Sequence, residues 1–309
     1  MHTTPFEKLA EALDRLPNGF PRTPSNVELE LLERIFTEDE AKLAGLLSGQ
    51  MEPLPEIAAR AGLPVEETGA RLKEMARKRL LWFEPDPVEP RFRLAPFVVG
   101  IYEAQVNSMD GELARLVEAY LADGGAAGIM SYDPAIHRVI PARGATGDWV
   151  LPYDDVKKIL LKAKSFAVQD CICRVQQSHI GRKCDHPIRN CMVFNLREGT
   201  PGFDMISQEE ALSILDKTEE IGLVHTVSNV TEGIGYICNC CGCCCAVLRG
   251  VTEWGIEKSV AHANYYAVID QEECTGCETC HDRCQVDAII SSSDVSEVVR
   301  KSCIGCGLC

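Results

Sequence analysis

Through residues 4–93 the apolar positions recur at helical spacing, and the stretch holds no cysteine. Residues 6–13, 26–36, 38–47, 55–61 and 65–81 are each expected to be helical, with short connections at 49–53 and 62–64. Leu80-Leu81-Trp82-Phe83 and Arg91-Phe92-Arg93-Leu94 flank a proline-rich tip and predict two strands. Residues 96–122 predict two further helices, carrying Val98, Ile101, Tyr102 and Val106, then Leu113, Leu116, Val117 and Tyr120. Gly124-Gly125 ends that pattern.

Beyond the glycines the elements shorten and change character. Residues 137–141 are a short β-rich piece, 144–147 a turn, and 152–162 a helix with Pro152 in its first turn. His137 is expected to be a surface or packing residue rather than a ligand. Ser165-Phe166-Ala167-Val168 reads as a strand that delivers Cys171-x-Cys173-Arg174. Residues two apart on an extended strand point to one side, so both thiols are expected to face one site. Cys184 and Cys191 follow in a loop with Gly181, His186 and Pro187. Ser207-Gln208-Glu209-Glu210 is a capping box that opens a helix to about residue 220, and 223–227 reads as a strand.

Composition narrows the class. A length of 309 residues gives a prior of two or three domains, and 46% hydrophobic with 25% charged residues is ordinary for a soluble chain. No apolar run approaches the roughly 20 residues of a membrane span, and the N-terminus has no signal-peptide core. An odd count of 17 cysteines without an export signal fits metal-loaded thiolates in a cytoplasm better than a disulfide framework. The net charge of −15 disfavours non-specific nucleic-acid binding and suits a redox partner protein with a basic docking face.

All 17 cysteines fall into two groups, ten in residues 171–245 and seven in the tail. The tail reads Cys274-x-x-Cys277-x-x-Cys280-x-x-x-Cys284, then Cys303-x-x-Cys306-x-x-Cys309. Runs of three at this spacing wrap a short loop around one iron–sulfide cube, and the fourth cysteine points to a neighbouring cluster. Structural zinc prefers two pairs, which fits the runs less well. Gly276, Gly305 and Gly307 suit loops that bring backbone amides close to sulfides.

In the middle group, Cys238, Cys240, Cys241, Cys243, Cys244 and Cys245 put six thiols in eight residues. That density points to a second metal-binding module, iron–sulfur rather than zinc, with one or two clusters. The simplest ligand set is Cys171, Cys173, Cys184 and Cys191 with Cys238, Cys240, Cys241 and Cys244, leaving Cys243 and Cys245 as reserve or packing residues. Cys241 and Cys244 share a face if a helix begins near them. How the eight divide between sites is open. His179, His186 and His225 are alternatives to a thiolate. Arg174, Arg182, Lys183 and Arg189 crowd the same loop, either as a solvated face or as cations that offset cluster charge or bind an anionic substrate.

The tail resembles the bacterial two-cluster ferredoxin, in which two cysteine runs exchange their fourth ligands. The resemblance implies one [4Fe-4S] cluster on Cys303, Cys306, Cys309 and Cys284. It puts the other on Cys274, Cys277 and Cys280, with a fourth ligand expected about four residues past Cys309. Gln285 stands where those ferredoxins carry proline. Residues 56–64 and the helix after them resemble the helix-turn-helix of winged-helix proteins, with 80–83 and 91–94 as the wing. Arg71, Lys73, Arg77, Lys78 and Arg79 lie on the second helix, but Glu56, Glu66, Glu67, Glu74, Glu84, Asp86 and Glu89 nearly cancel them. A docking or dimerisation role is therefore expected over DNA reading.

Cys171–Arg174, Cys184–Pro187, Cys191–Phe194 and Cys238–Cys241 together resemble a family of ferredoxin-tailed proteins of anaerobic bacteria and archaea. Cys240-Cys241-Gly242 also resembles part of the Cys-Cys-Gly domain of heterodisulfide reductases, without the spaced second half of its motif. The expected fold is multidomain α+β: a winged-helix-like helical domain at 1–95, an α/β cysteine-rich module at 96–264, and a dicluster ferredoxin-like domain at 265–309. The expected function is an iron–sulfur electron-transfer protein or oxidoreductase subunit of anaerobic redox metabolism, cytoplasmic, with a homodimer through the N-terminal domain in view. A redox-sensing winged-helix regulator is the alternative, and a zinc-loaded adaptor a third.

Overall fold

The computed structural model describes residues 3–142, 155–182, 184–195, 203–231, 233–292 and 294–309. The turn expected at 144–147, Pro152 and Lys183 lie outside them. The fold is mixed helix and sheet, compatible with α+β, and the chain forms two compact units, Met1–Ile129 and Met130–Cys309.

In the first unit, helices Pro5–Asp14 and Glu38–Ala44 each begin at a threonine capping box, Thr4 with Glu7 and Thr37 with Glu40. Helix Val27–Ile35 lies between them. Glu28 is completely buried there, bonded to the Thr23 hydroxyl and backbone amide and to Arg22. Strand β1 (Glu52–Pro53) precedes helix Leu54–Ala61, and Gly62 turns the chain with φ +65° into helix Val65–Arg77. That helix ends four residues earlier than the expected 81, because Arg79 takes φ +60° and releases Leu81 into a strand. β2 (Leu81–Glu84) and β3 (Arg91–Leu94) pair antiparallel with Leu81 opposite Leu94, and β1 joins the other edge of β3.

The first helix expected in 96–122 is shortened to the α-helical Tyr102–Ala104 and the 3-10 turn Gln105–Asn107, since Val98 and Val99 adopt extended backbone angles. Helix Gly111–Tyr120 follows as expected, and Gly124 breaks it with φ +113°. The Phe20 ring packs against those of Phe97 and Tyr120, with centroids 4.9 and 4.8 Å away.

The second unit is built on a six-stranded antiparallel sheet of order β4-β8-β9-β6-β5-β7. Its strands are β4 (His137–Ile140), β5 (Ser165–Asp170), β6 (Arg189–Asn195), β7 (Asp204–Ile206), β8 (Val224–Ser228) and β9 (Tyr236–Cys240). Helices Val156–Leu161 and Gln208–Glu220 cover one face, enclosing Val156, Leu160, Phe166, Phe194, Leu215 and Ile237. Ser207 caps the second of these with the expected capping box. His137 is buried against the Tyr236 ring, and that burial pushes its pKa down to about 4.

Strand alternation decides what faces the other way. Met192 pairs with Ile237 toward the helices, so the neighbouring Cys191 and Cys238 fall on the opposite face. Val224 opposite Cys240 and Thr226 opposite Cys238 continue that face onto β8.

The tail lies against the same unit. The backbone amide of Ala142 donates to Cys306 O and that of Ala263 to Ile304 O. Helix Thr279–Arg283 and the hairpin of β10 (Ile289–Ser292) and β11 (Val295–Val298) separate the two cysteine runs. No described helix is long and apolar enough to cross a membrane.

Candidate metal centre

The ten middle cysteines divide into six and four. The Cys171 thiol is an electrostatic neighbour of those of Cys173 and Cys191, Cys191 of Cys238, and Cys238 of Cys240. Cys245, a neighbour in the same sense of both Cys240 and Cys173, closes the ring. The elements that deliver these thiols differ from expectation at one point. β5 ends at Asp170, Cys171 caps helix Ile172–His179, and Cys173 sits in its first turn. The two thiols meet through a helix start rather than along a strand. The physical reason is the Cys171 amide bonded to Ile188 O, which closes the strand ladder and lets Val175 N reach Cys171 O.

The second set is Cys184, Cys241, Cys243 and Cys244, whose four sulfurs all lie within 4.8 Å of one another. Cys244 Sγ is 3.5 Å from Cys184 Sγ and 3.8 Å from Cys243 Sγ. Cys241 and Cys244 come together in a tight turn rather than on a helix, because the following helix, Ala246–Thr252, starts only after Cys245. Thus Cys243, held in reserve by the sequence reading, stands inside the four, and Cys245 stands inside the ring. No periodicity distinguishes these two in the sequence, since both lie in a turn that belongs to neither repeat.

Arg174 joins the two sets. It is 3% exposed, and its guanidinium donates to Pro187 O at 3.1 Å, Asn190 Oδ1 at 2.9 Å and Asn239 O at 3.0 Å. Burial works against its charge, but the Cys171, Cys241 and Cys240 thiolates outweigh that and hold its pKa above the ordinary arginine value. In turn, hydrogen bonds from Cys243 and Cys244, with Arg174 beyond them, hold the Cys241 thiol far below its usual range. The same contacts push Cys243 up to about 12 and Cys244 higher still. Hydrogen bonds from Cys238 and Cys245 bring Cys240 down to about 6.

Among the described residues around these thiols, the buried donors Arg174 Nε and Asn190 Nδ2 have no protein acceptor. The Asn190 amide orientation follows from its Oδ1 receiving Arg174. A buried cation and two orphaned donors beside ten thiols fit an anionic metal–sulfur group. The other arginines of the expected cationic cluster stay outside: Arg182 pairs with Glu253 at 3.5 Å and Arg189 with Asp204 at 2.9 Å.

Of the alternative histidine ligands, His179 is exposed and His186 half-buried. His225 is buried on the helix side of the sheet. Its Nδ1 donates to Asn239 Oδ1 at 2.6 Å and its Nε2 lies 3.2 Å from Glu219.

In the tail, Cys284, Cys303, Cys306 and Cys309 are electrostatic neighbours. Burial pushes the Cys306 thiol up to about 12. Backbone amides point at the sulfurs, Ala288 N to Cys284 Sγ at 3.2 Å, Ser296 N to Cys274 Sγ at 3.4 Å and Ala267 N to Cys303 Sγ at 3.5 Å. Such N–H···S bonds are the ones that stabilise and tune cluster-bound thiolates. Gly276 and Gly305 hold φ of +65° and +73°, with backbone packed where a side chain would stand. The donor set therefore fits iron–sulfur clusters.

The first cysteine run of the tail belongs to a 4Fe-4S-binding segment. Residues 267–290 match the 4Fe-4S binding domain family. No protein of the curated set and no solved structure matches the chain significantly.

Proposed function

We propose that this protein is an iron–sulfur electron carrier, or the electron-transfer subunit of an oxidoreductase, whose tail exchanges electrons with its own cysteine-rich module. Clusters bound at the tail and at the six-thiol ring supply one-electron transfer. Cys274, Cys277 and Cys280 hold one [4Fe-4S] cluster and Cys284, Cys303, Cys306 and Cys309 the other. Arg174 holds a positive charge between the middle thiols, favouring the reduced, more negative state of a centre beside it.

The observation that carries this reading is how Cys284 is anchored. On one side Arg283 donates to Glu219 O and Glu220 O, both at 2.9 Å, and to Leu308 O. On the other, Gln285 Oε1 accepts from Gly242 N at 2.8 Å, inside the Cys241-Gly242-Cys243 turn. Cys284 is thus flanked by one residue tied to the end of helix Gln208–Glu220 and by another tied to the Cys241-Gly242-Cys243 turn of the module. A fixed contact of this kind is what intramolecular electron transfer requires.

In the first unit, Arg71, Arg77 and Lys78 are each ion-paired, to Glu67, Glu74 and Glu40. That favours docking or dimerisation over DNA reading. The acidic chain suits a basic partner. The test is purification without air, iron and labile-sulfide analysis, and electron paramagnetic resonance of the reduced protein. About eight irons with matching sulfide are expected from the tail clusters alone. Folded, colourless, iron-free protein would sink the proposal.

A further inference from the structure

We propose that Cys184, Cys241, Cys243 and Cys244 form a mononuclear tetrathiolate site that takes a single tetrahedral zinc or iron ion. This goes beyond the electron-carrier reading and stands or falls separately from it.

The argument is the spacing of the sulfurs. A tetrahedral ion with metal–sulfur bonds of about 2.3 Å places its ligands about 3.8 Å apart. The measured separations are 3.5 Å for Cys184 to Cys244 and 3.8 Å for Cys243 to Cys244, and every pair lies within 4.8 Å. In a cubane each thiolate sits on a different iron at an outer corner, so the four sulfurs spread to roughly 6 Å. The observed group is too tight for that and too open for disulfides, whose bonds are about 2.05 Å. Four protein sulfurs also complete a tetrahedron, leaving no position for substrate, as in closed structural or electron-transfer sites.

The surroundings agree with an ion seated near the surface. Cys241 and Cys244 are buried against Leu223, Cys184 is half-buried, and Cys243 is exposed, so entry is from the Cys243 side. Each thiol gives up a proton on binding, and the resulting net negative group lies beside the Arg174 guanidinium. The site ties the loop carrying Cys184 to the turn that Gln285 meets. Zinc would fasten that junction. Iron would fasten it and also cycle between ferrous and ferric states with one electron.

The test compares the full chain with its Cys243→Ser variant, both purified without air, counting zinc, iron and labile sulfide per chain. The variant is expected to lose one metal ion and no sulfide, and the identity of that ion separates zinc from iron. Loss of iron and sulfide in equal amounts, or retention of all metal, overturns the proposal. Should the variant precipitate, X-ray absorption of the unmodified protein at the zinc edge decides for zinc. It must show four sulfurs at about 2.3 Å and no metal neighbour. If zinc is absent, the ferric high-spin resonance of an isolated tetrathiolate iron must appear instead. Failure of both overturns the site. Absence of labile sulfide from both proteins would sink the electron-carrier reading and leave this site standing.

Discussion

Substituting Gly242 by alanine tests whether the tail and the cysteine-rich module act as one device. An ideal Cβ at this position overlaps the Gln285 carbonyl oxygen and comes within 3.0 Å of its carbonyl carbon. Backbone, not a flexible side-chain end, stands in the way, so Gln285 must retreat. Overpacking of this kind costs about 1–3 kcal/mol. Retreat also loses the 2.8 Å bond from Gly242 N to Gln285 Oε1, a further 0.5–1.5 kcal/mol or so. Together the docked arrangement weakens by about 1.5–4.5 kcal/mol, or roughly 10- to 2,000-fold in the equilibrium between docked and open states.

Hydrogen exchange followed by mass spectrometry, in the absence of air, reads this directly. Peptides spanning 236–246 and 279–288 should lose protection together in Gly242→Ala, while helix Gly111–Tyr120 in the other unit keeps its own. Gln285→Ala, which removes the bond without the overlap, should lose about tenfold or less. Unchanged exchange of both peptides in Gly242→Ala would refute the reasoning. So would a larger effect for Gln285→Ala than for Gly242→Ala.

Two other substitutions probe single buried charges. Arg174→Gln keeps hydrogen-bonding capacity but removes the cation, and should lower the midpoint potential of the middle-module centre. The shift should be roughly 60–130 mV, the one-electron equivalent of a charge-assisted bond of about 1.5–3 kcal/mol. Redox titration checks it, and an unchanged or raised potential contradicts the assigned role. Glu28→Gln should destabilise the first unit by about 1–3 kcal/mol, measured by urea unfolding. Burial pushes the Glu28 carboxyl up, but bonds from Thr23 and Arg22 outweigh it and hold the pKa below the ordinary 4.5. A depressed folded pKa gives stability that is present above 4.5 and lost as pH falls through the folded value. The gap between native and Glu28→Gln proteins should therefore be full near neutrality and close only on the acid side of 4.5.

The chemistry of this protein was written in its sequence because metal ligation depends on residue type and short spacing. The run Cys274 to Cys284 lies in the segment that matches the 4Fe-4S binding domain family, and six thiols between Cys238 and Cys245 pointed from spacing alone to a metal-binding module. Local signals were equally readable, as with the capping box at Ser207 and the connection at 62–64, which begins with Gly62 in the left-handed region. The partition of the middle thiols was not, because it depends on which strands pair and on where turns end. Antiparallel pairing of β6 with β9 sets Cys191 beside Cys238, and the turn before helix Ala246–Thr252 sends Cys243 to one group and Cys245 to the other. Only the tertiary structure turned Arg174 inward, since burying a guanidinium requires acceptors from Pro187, Asn190 and Asn239, contributed by segments far apart in the chain. Sequence spacing fixes which atoms can bind a metal. Long-range strand pairing and packing decide which of them meet.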